Sequence, residues 1–455
     1  MAQLPEKAQE ILNQFSIPEQ RLRQISDAML SEFRLGLQKG RPDSSVAMLP
    51  TFVPKLPTHE ERGKFVAIDL SGKNLRIMLL QLEGPGKDAE ICNRNFMIPQ
   101  SVMVGTGEGL FNFITNCLGR FVTEQGLGEV EDLPVGFVFS YPCELLSIRS
   151  AHLLWWTKGF NVVDCLQKDV VKLLEDAMQL NTATKNARVV AVLNDTVGQL
   201  ASSAWEHGDE CIVGVVIGYG CNASYLENVD RIVKFDPVLH NYPHPQMVID
   251  TEWEEFGAKG ELASILTAFD KDIDMHSVHV GKQIVDKLCG ALYLGELVRG
   301  VMEQLVLDGV LFNGQAVDSI QTMDSFPAKY ISEILADEAT LNWKNTRRIL
   351  DELEIRLHGS SDYVVLRELC QVVSQRSAAI VAAAIAALLR HLGRDRVIVG
   401  VGGVLAQFHP TYLQLLQASL DMLAPPNVEW KVVTVADGSS RGAALIAATV
   451  SRLQL

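Results

Sequence analysis

Three charged side chains stand where chemistry could be done. Asp195 follows the apolar run VVAVL (189–193), inside Asn194-Asp195-Thr196. Open α/β sheets hold ligands beyond the carboxyl ends of such strands. A carboxylate there can accept a hydroxyl proton during phosphoryl transfer; the bland alternative is an aspartate that caps the next helix. Asp69 closes the run FVAIDL (65–70) just before a glycine turn, suited to Mg2+ or its water shell, or simply to an Asx turn. Lys158, in Trp156-Thr157-Lys158-Gly159, could bring positive charge to a transferring group, although a loop lysine is more often just solvated.

Two turns could hold the group being transferred. The segments FVAIDL-SGKN-LRIMLL (65–80) and IVGVVI-GYGCN-ASYLE (212–227) share one design, an apolar run entering and leaving a glycine-bearing turn. Both predict β-hairpins, since Val, Ile, Leu and Tyr suit strands while Gly and Asn tolerate positive φ. Backbone N–H groups exposed in such a turn can bind phosphate oxygens without a cation. Two of them suggest two lobes gripping one polyphosphate. Neither GxGxxG nor GxxxxGK[ST] is present, so a dinucleotide fingerprint and a P-loop are both unsupported.

Weaker candidates surround these. Trp155-Trp156 could stack on a sugar or base, but tryptophans more often pack. Glu252, in DTEWEEFG (250–257), is either a hydroxyl-binding carboxylate at a strand edge or surface charge. Asn222 most simply serves its turn, and His276 and His279 have no matching ligand set.

These residues need a frame to hold them. Residues 5–40 predict two helices, with Ile11, Phe15, Leu22, Ile25, Met29 and Leu30 at helical spacing. A connector too rich in proline for a helix or an inner strand follows (49–63). Helices are predicted near 109–124 and 164–178, and strands over 135–140, 188–193, 396–401 and 429–435. Ser377–Leu389 is almost wholly apolar, bounded by Arg376 and Arg390, and predicts a short buried helix. ADGSSRGAALIAATV (436–450) predicts a turn opening a final helix. The alternation of strands and helices indicates an α/β architecture.

With 455 residues, 47% apolar and 21% charged, the chain should fold as two or more soluble domains. A formal charge of −15 argues against a nucleic-acid partner. No apolar run reaches membrane-spanning length, and the N-terminus has neither a signal h-region nor an Arg-rich leader. The eight cysteines form no CxxC pair, which suits reduced thiols in the cytoplasm.

Taken in order, these segments resemble the hexokinase family, specifically a single animal-type module, from about Met48 onward with a weaker helical match before it. LPVGFVFSYPC…LLWWTKGFNV is similar to the family's sugar-binding signature and VVAVLNDTVGQLASSAW to its catalytic segment. VIDTEWEEFG, DIDMHSVHVGKQ and LGELVRGV are also close to family segments. The resemblance implies an actin-like ATPase (ribonuclease H-like) fold, two α/β lobes, each on a mixed five-stranded sheet, hinged around a cleft. It divides the chain into N-terminal helices and connector (1–57) packing on the large lobe, a small lobe (58–194 plus 438–455) and a large lobe (195–437).

The same resemblance assigns roles. Ser140, Thr157, Lys158, Asn194, Asp195, Asn222, Glu252 and Asp286 match hexose-site positions, with Asp195 the base for the sugar 6-hydroxyl and Lys158 its catalytic companion. Asp69, Ser71, Gly72, Lys73, Asn74, Arg76, Gly218, Tyr219, Gly220, Ser332 and Gly403 match positions around ATP and Mg2+. No direct protein ligand to the metal is expected; Asp69 and Asp195 would reach it through its waters. The partners implied are a hexose and ATP, with a cytoplasmic monomer expected.

Departures concentrate on the nucleotide side. The first turn is usually Gly-Gly-Thr-Asn and is Ser71-Gly72-Lys73-Asn74 here; Tyr219 replaces a threonine in the second. Gly402 stands where an aspartate is usual, Val404 where a serine is common and Ala328 where a threonine is common. On the hexose side only Asp286 departs, one methylene shorter than glutamate. The expectation is therefore an ATP-dependent hexokinase of the first step of glycolysis, with a catalytically weak or inactive hexose-binding regulatory paralogue as the alternative. An actin-like or Hsp70-like ATPase shares the fold logic but gives the sugar signature no purpose.

Overall fold

Parallel strands ending at a common edge build each half of the site. The computed structural model describes residues 4–235, 242–315, 317–337, 343–356 and 359–455. Its strands are β1 (Leu49–Pro50), β2 (Arg62–Leu70), β3 (Asn74–Glu83), β4 (Glu90–Met97), β5 (Leu133–Phe139), β6 (Cys143–Ser147), β7 (Ser150–Leu153), β8 (Ala187–Leu193), β9 (Cys211–Ile217), β10 (Cys221–Asn228), β11 (Gln246–Asp250), β12 (Arg396–Gly402) and β13 (Glu429–Thr434).

The small lobe has a five-stranded sheet of order β4-β3-β2-β5-β8. Strands β2, β5 and β8 are mutually parallel, pairing Leu70 with Phe139 and Val138 with Leu193. Ser71, Ser140 and Asn194 therefore leave the sheet side by side. The large lobe repeats the device in a sheet of order β1-β11-β10-β9-β12-β13. Here β9 and β12 run parallel, while β11 and β9 both run antiparallel to β10. Gly218, Thr251 and Gly403 consequently gather at one edge. This sheet has six strands rather than the expected five, because the proline-rich connector supplies β1 against Asp250 and Ile249 of β11. Its edge position agrees with a segment unable to form an inner strand.

Both predicted hairpins form, and the two N-terminal helices appear as Glu6–Asn13 and Glu19–Gln38. Their apolar faces join the large-lobe core, where Phe15, Met29 and Phe33 are buried. The helix expected near 164–178 begins later, at Val170, because Asp169 caps it with a side chain that accepts from the Val171 N–H. A 3-10 turn, Val163–Cys165, precedes it.

The predicted buried helix is only the second half of a longer one, Ser360–Leu392, of 33 residues. By length and composition it could cross a membrane, yet 89% of its most apolar window is buried inside the fold, so it is a core helix. Arg376 does not mark its end. The guanidinium lies in mid-helix, fully buried, and donates to both oxygens of Asp270 at 2.8 and 2.7 Å over the ring of Phe15.

Two helices join the lobes. Asp195–His207 leaves β8 of the small-lobe sheet and packs on β9, β10 and β12 of the large one. The helix Gly438–Leu453 returns from β13 to cover β2, β3, β5 and β8. They cross closely: a Cβ on Gly442 would lie 1.8 Å from the Gly198 carbonyl oxygen, so no larger residue fits there. The small residues Gly442, Ala443, Ala444, Ala447 and Ala448 of the final segment are what this crossing and the cover over the sheet require.

Candidate active site

Asn194, not Asp195, caps the helix after β8: its side chain accepts from the Thr196 N–H at 3.0 Å. That frees the Asp195 carboxylate from capping, and the bland reading fails. The Asp195 N–H donates to Ser140 Oγ at 3.1 Å, joining the ends of β8 and β5. The adjacent Thr196 hydroxyl meets Ser224 Oγ at 2.6 Å, which fixes this helix start against β10 of the other lobe. Burial pushes the Asp195 carboxyl above its usual range, reinforced by Asp69 and Glu252 and opposed by Lys158. A carboxylate of raised basicity is what proton abstraction from an alcohol requires.

Lys158 is not a solvated loop lysine. Its backbone is left-handed (φ 58°), and its ammonium donates to the carbonyls of Ser71 at 2.9 Å and Ser140 at 2.8 Å. The Tyr141 ring lies 5.4 Å away. An ammonium has three donors, so one remains for a bound anion or hydroxyl. Thr157 sits beside it, half-buried. Trp156 is packing: its Nε1 donates to the Val162 carbonyl at 2.7 Å, and its ring stacks on Phe160.

The large lobe presents carboxyls to the same place. Glu252 follows β11 in a left-handed conformation (φ 51°). Asn222 was expected to bind a hydroxyl, but its hydrogen-bonding capacity is used internally. Its amide donates to Asp250 Oδ1 at 2.8 Å and Glu252 Oε1 at 3.3 Å, while its oxygen accepts from the Ala223 N–H at 2.7 Å and Thr251 Oγ1 at 3.0 Å. It is a scaffold for Glu252. Asp286 lies under the second turn: its Oδ1 accepts from the Cys221 N–H at 2.6 Å, and a Cβ on Gly220 would stand 2.5 Å from its other oxygen. Burial raises the Asp286 carboxyl to about 7; Cys221 and Lys158 oppose, Glu252 and Glu255 add.

Asp69 makes no Asx turn. Its Oδ2 accepts from Ser439 Oγ at 2.8 Å and Ser440 Oγ at 2.7 Å, the first turn of the final helix. Its Oδ1 is buried without a partner. An unpaired carboxylate oxygen beside an open turn fits a hydrated Mg2+ carried by a nucleotide. A Cβ on Gly72 would meet no atom within 4 Å, and Lys73 and Asn74 are exposed. Arg76 is engaged elsewhere, donating to Asp437 at 2.5 Å and to Asn95 at 3.0 Å.

In the second turn the Gly218 N–H donates to the Gly220 carbonyl at 2.8 Å, and Tyr219 projects outward, 59% exposed. Gly403 (φ 94°) lets β12 pass the end of β9, where a Cβ would meet the Ile217 backbone at 2.5 Å. Beside it, the space of a side chain at Gly402 is filled by Gln199, whose Oε1 would lie 2.1 Å from a Cβ there. Ser332 lies on the helix Ala328–Ala336, and among the described residues no hydrogen bond ties it to this cluster.

Four participants escaped the sequence: Ser439, Ser440, Asp250 and Glu254. The serines lie in the turn read as a helix start. Asp250 and Glu254 flank Glu252, a cluster of acids that by itself looks like solvated charge.

Two family models, both described as hexokinase, match residues 7–205 and 212–449. The hexokinase of Brugia malayi is 44% identical over 451 residues, covering 99% of this chain and 78% of its own. That of Schistosoma mansoni is 38% identical, covering 99% and 98%. Human hexokinase-3 is 38% identical over 94% of this chain, which spans 45% of that protein. Among solved structures, the Schistosoma mansoni hexokinase complexed with glucose superposes with a TM-score of 0.89 at 36% identity over 98% of both chains.

Proposed function

The chain belongs to the hexokinase family, and from that premise we propose that it transfers the γ-phosphoryl group of ATP to the 6-hydroxyl of glucose or a related hexose. The carrying observation is convergence: Glu252, at the edge of one sheet, helps raise the Asp195 carboxyl at the edge of the other, and Lys158 in turn acts on Asp286 across the same gap. In the proposed step the hydroxyl proton passes to Asp195, the oxygen–phosphorus bond forms, and the bond to the β-phosphate oxygen breaks, releasing ADP. Lys158, anchored to the turn carbonyl of Ser71, places positive charge where phosphate charge develops. Ser140 orients the helix that carries the base. Mg2+, held through water by Asp69, would supply charge neutralisation to the phosphates. The lobes would exclude water on closing, which limits ATP hydrolysis.

A coupled assay with saturating glucose and MgATP tests this reading. Asp195→Ala should lower kcat by about 10^2–10^4, the usual worth of a positioned base, while glucose still binds. Wild-type turnover no higher than that of the variant would sink it.

A specific observation supports a second reading, a hexose-binding protein with weak or absent catalysis. Tyr219 protrudes from one phosphate turn, and Gln199 fills the space beside Gly402. Calorimetry that finds glucose binding with no MgATP binding would favour it. Restoring Ser71→Gly, Lys73→Thr and Tyr219→Thr together should then raise turnover. We further propose a cytoplasmic monomer, in keeping with the net charge of −15 and the eight unpaired cysteines, all but Cys92 buried.

A further inference from the structure

We propose that Asp250 and Glu254 are positioning residues of the hexose site, gripping the Glu252 carboxyl from both sides so that a sugar hydroxyl meets one pre-aimed acceptor. The proposal rests on the hexokinase reading and adds two residues to it. Glu252 occupies a left-handed backbone conformation, which is strained for a non-glycine residue unless its surroundings hold it. Those surroundings are visible. Trp253, fully buried, donates from Nε1 to the Cys221 carbonyl at 2.9 Å and fixes the chain just after Glu252. Asn222 bridges Asp250 and Glu252 with its amide.

The carboxyls of Asp250 and Glu254 each lie within hydrogen-bonding reach of that of Glu252. A carboxylate cannot donate, so a proton must occupy each contact. Asp250 and Glu254 are 5% and 8% exposed, and Glu254 Oε2 is buried without a partner, so neither is a solvated surface acid. Burial raises both well above the ordinary carboxyl range. The other charged groups that act on this triad are Asp195 and Asp286, both acidic. Acidic neighbours favour keeping the shared protons, and rising pH removes them. Once they leave, mutually repelling carboxylates release Glu252 from its aim.

Replacing a shared proton with a permanent amide donor tests this. Glucose affinity is measured by calorimetry from pH 5.5 to 9 on the full chain, as wild type, Asp250→Asn, Glu254→Gln and the double variant, with KM and kcat from the coupled assay. The wild-type glucose Kd should weaken about tenfold or more as pH rises, and the double variant should bind with a flattened profile. Glu254→Ala, which removes the donor, should raise KM about tenfold, the change falling on KM rather than kcat. Superimposable Kd profiles for wild type and double variant would overturn the proposal, as would a loss confined to kcat. If the double variant does not fold, Glu254→Gln alone decides by the same comparison. Glucose binding without turnover would refute the phosphoryl-transfer reading and leave these profiles decisive. No glucose binding by the wild type at any pH would overturn both.

Discussion

The Lys73 side chain leaves the first turn exposed and, among the described residues, its ammonium makes no hydrogen bond or ion pair, so it is available to a phosphate. Arg76, the other cation of that hairpin, is held by Asp437 and cannot substitute for it. Losing one charge-assisted hydrogen bond costs roughly 1–3 kcal/mol, or about one to two decades in affinity. Lys73→Ala should therefore raise the KM for ATP about tenfold or more and leave glucose affinity unchanged, as steady-state kinetics and calorimetry would read. A lowered KM would instead mean that Lys73 obstructs the nucleotide. At this scale the sequence was legible where a residue type met a strand end, as at Asp195 and Asp69. It was misleading where a partner distant in the chain decides the role. Arg76 is claimed by Asp437, Asn222 by Asp250, and Asp69 by Ser439 and Ser440, pairings that no local spacing reveals.

Among the elements, the helix Ser360–Leu392 shows the same limit. Apolar content located its second half, but its first half carries Ser, Arg, Glu and Gln at many positions, so composition alone does not mark it as buried. What buries it is partnership: Arg376 on Asp270, and Asp270 in a capping box with Thr267. Breaking a buried ion pair from one side strands the other charge and typically costs 3–5 kcal/mol. Arg376→Ala should lower the urea midpoint accordingly. Arg376→Ala with Asp270→Ala should recover part of that loss, and a midpoint unchanged in the single variant would refute the pairing's importance. The strands were easier to read, because apolar runs closed by glycine turns need no distant partner to be recognised. Strands β4, β6, β7 and β11 had no predicted range, and neither had β1, a two-residue edge that exists because β11 offers it an open side.

Across the whole molecule, the cluster at the lobe junction makes stability depend on pH. The sign follows from Asp286, whose folded carboxyl titrates near 7 against an ordinary value of 3.8. The folded state then holds the proton more tightly, so the stabilisation is complete below about pH 4 and is lost as pH rises through 7. In the absence of sugar, wild-type Tm should fall by a few degrees between pH 5 and 8, and Asp286→Asn should flatten that slope. Parallel slopes in a differential scanning experiment would show that Asp286 is not the group responsible. Two lobes were foreseeable from the repeated hairpins; which faces they turn to each other was not, since that depends on the crossing of two helices at Gly198 and Gly442.

That crossing also constrains how the protein is made. The helix covering β2, β5 and β8 is Gly438–Leu453, and a ribosome writes it only after the entire large lobe. Until then one side of the first-made sheet, including Ala67, Val138 and Val190, lacks the cover of this helix. The nascent chain therefore completes the cover over this apolar face only with its last helix.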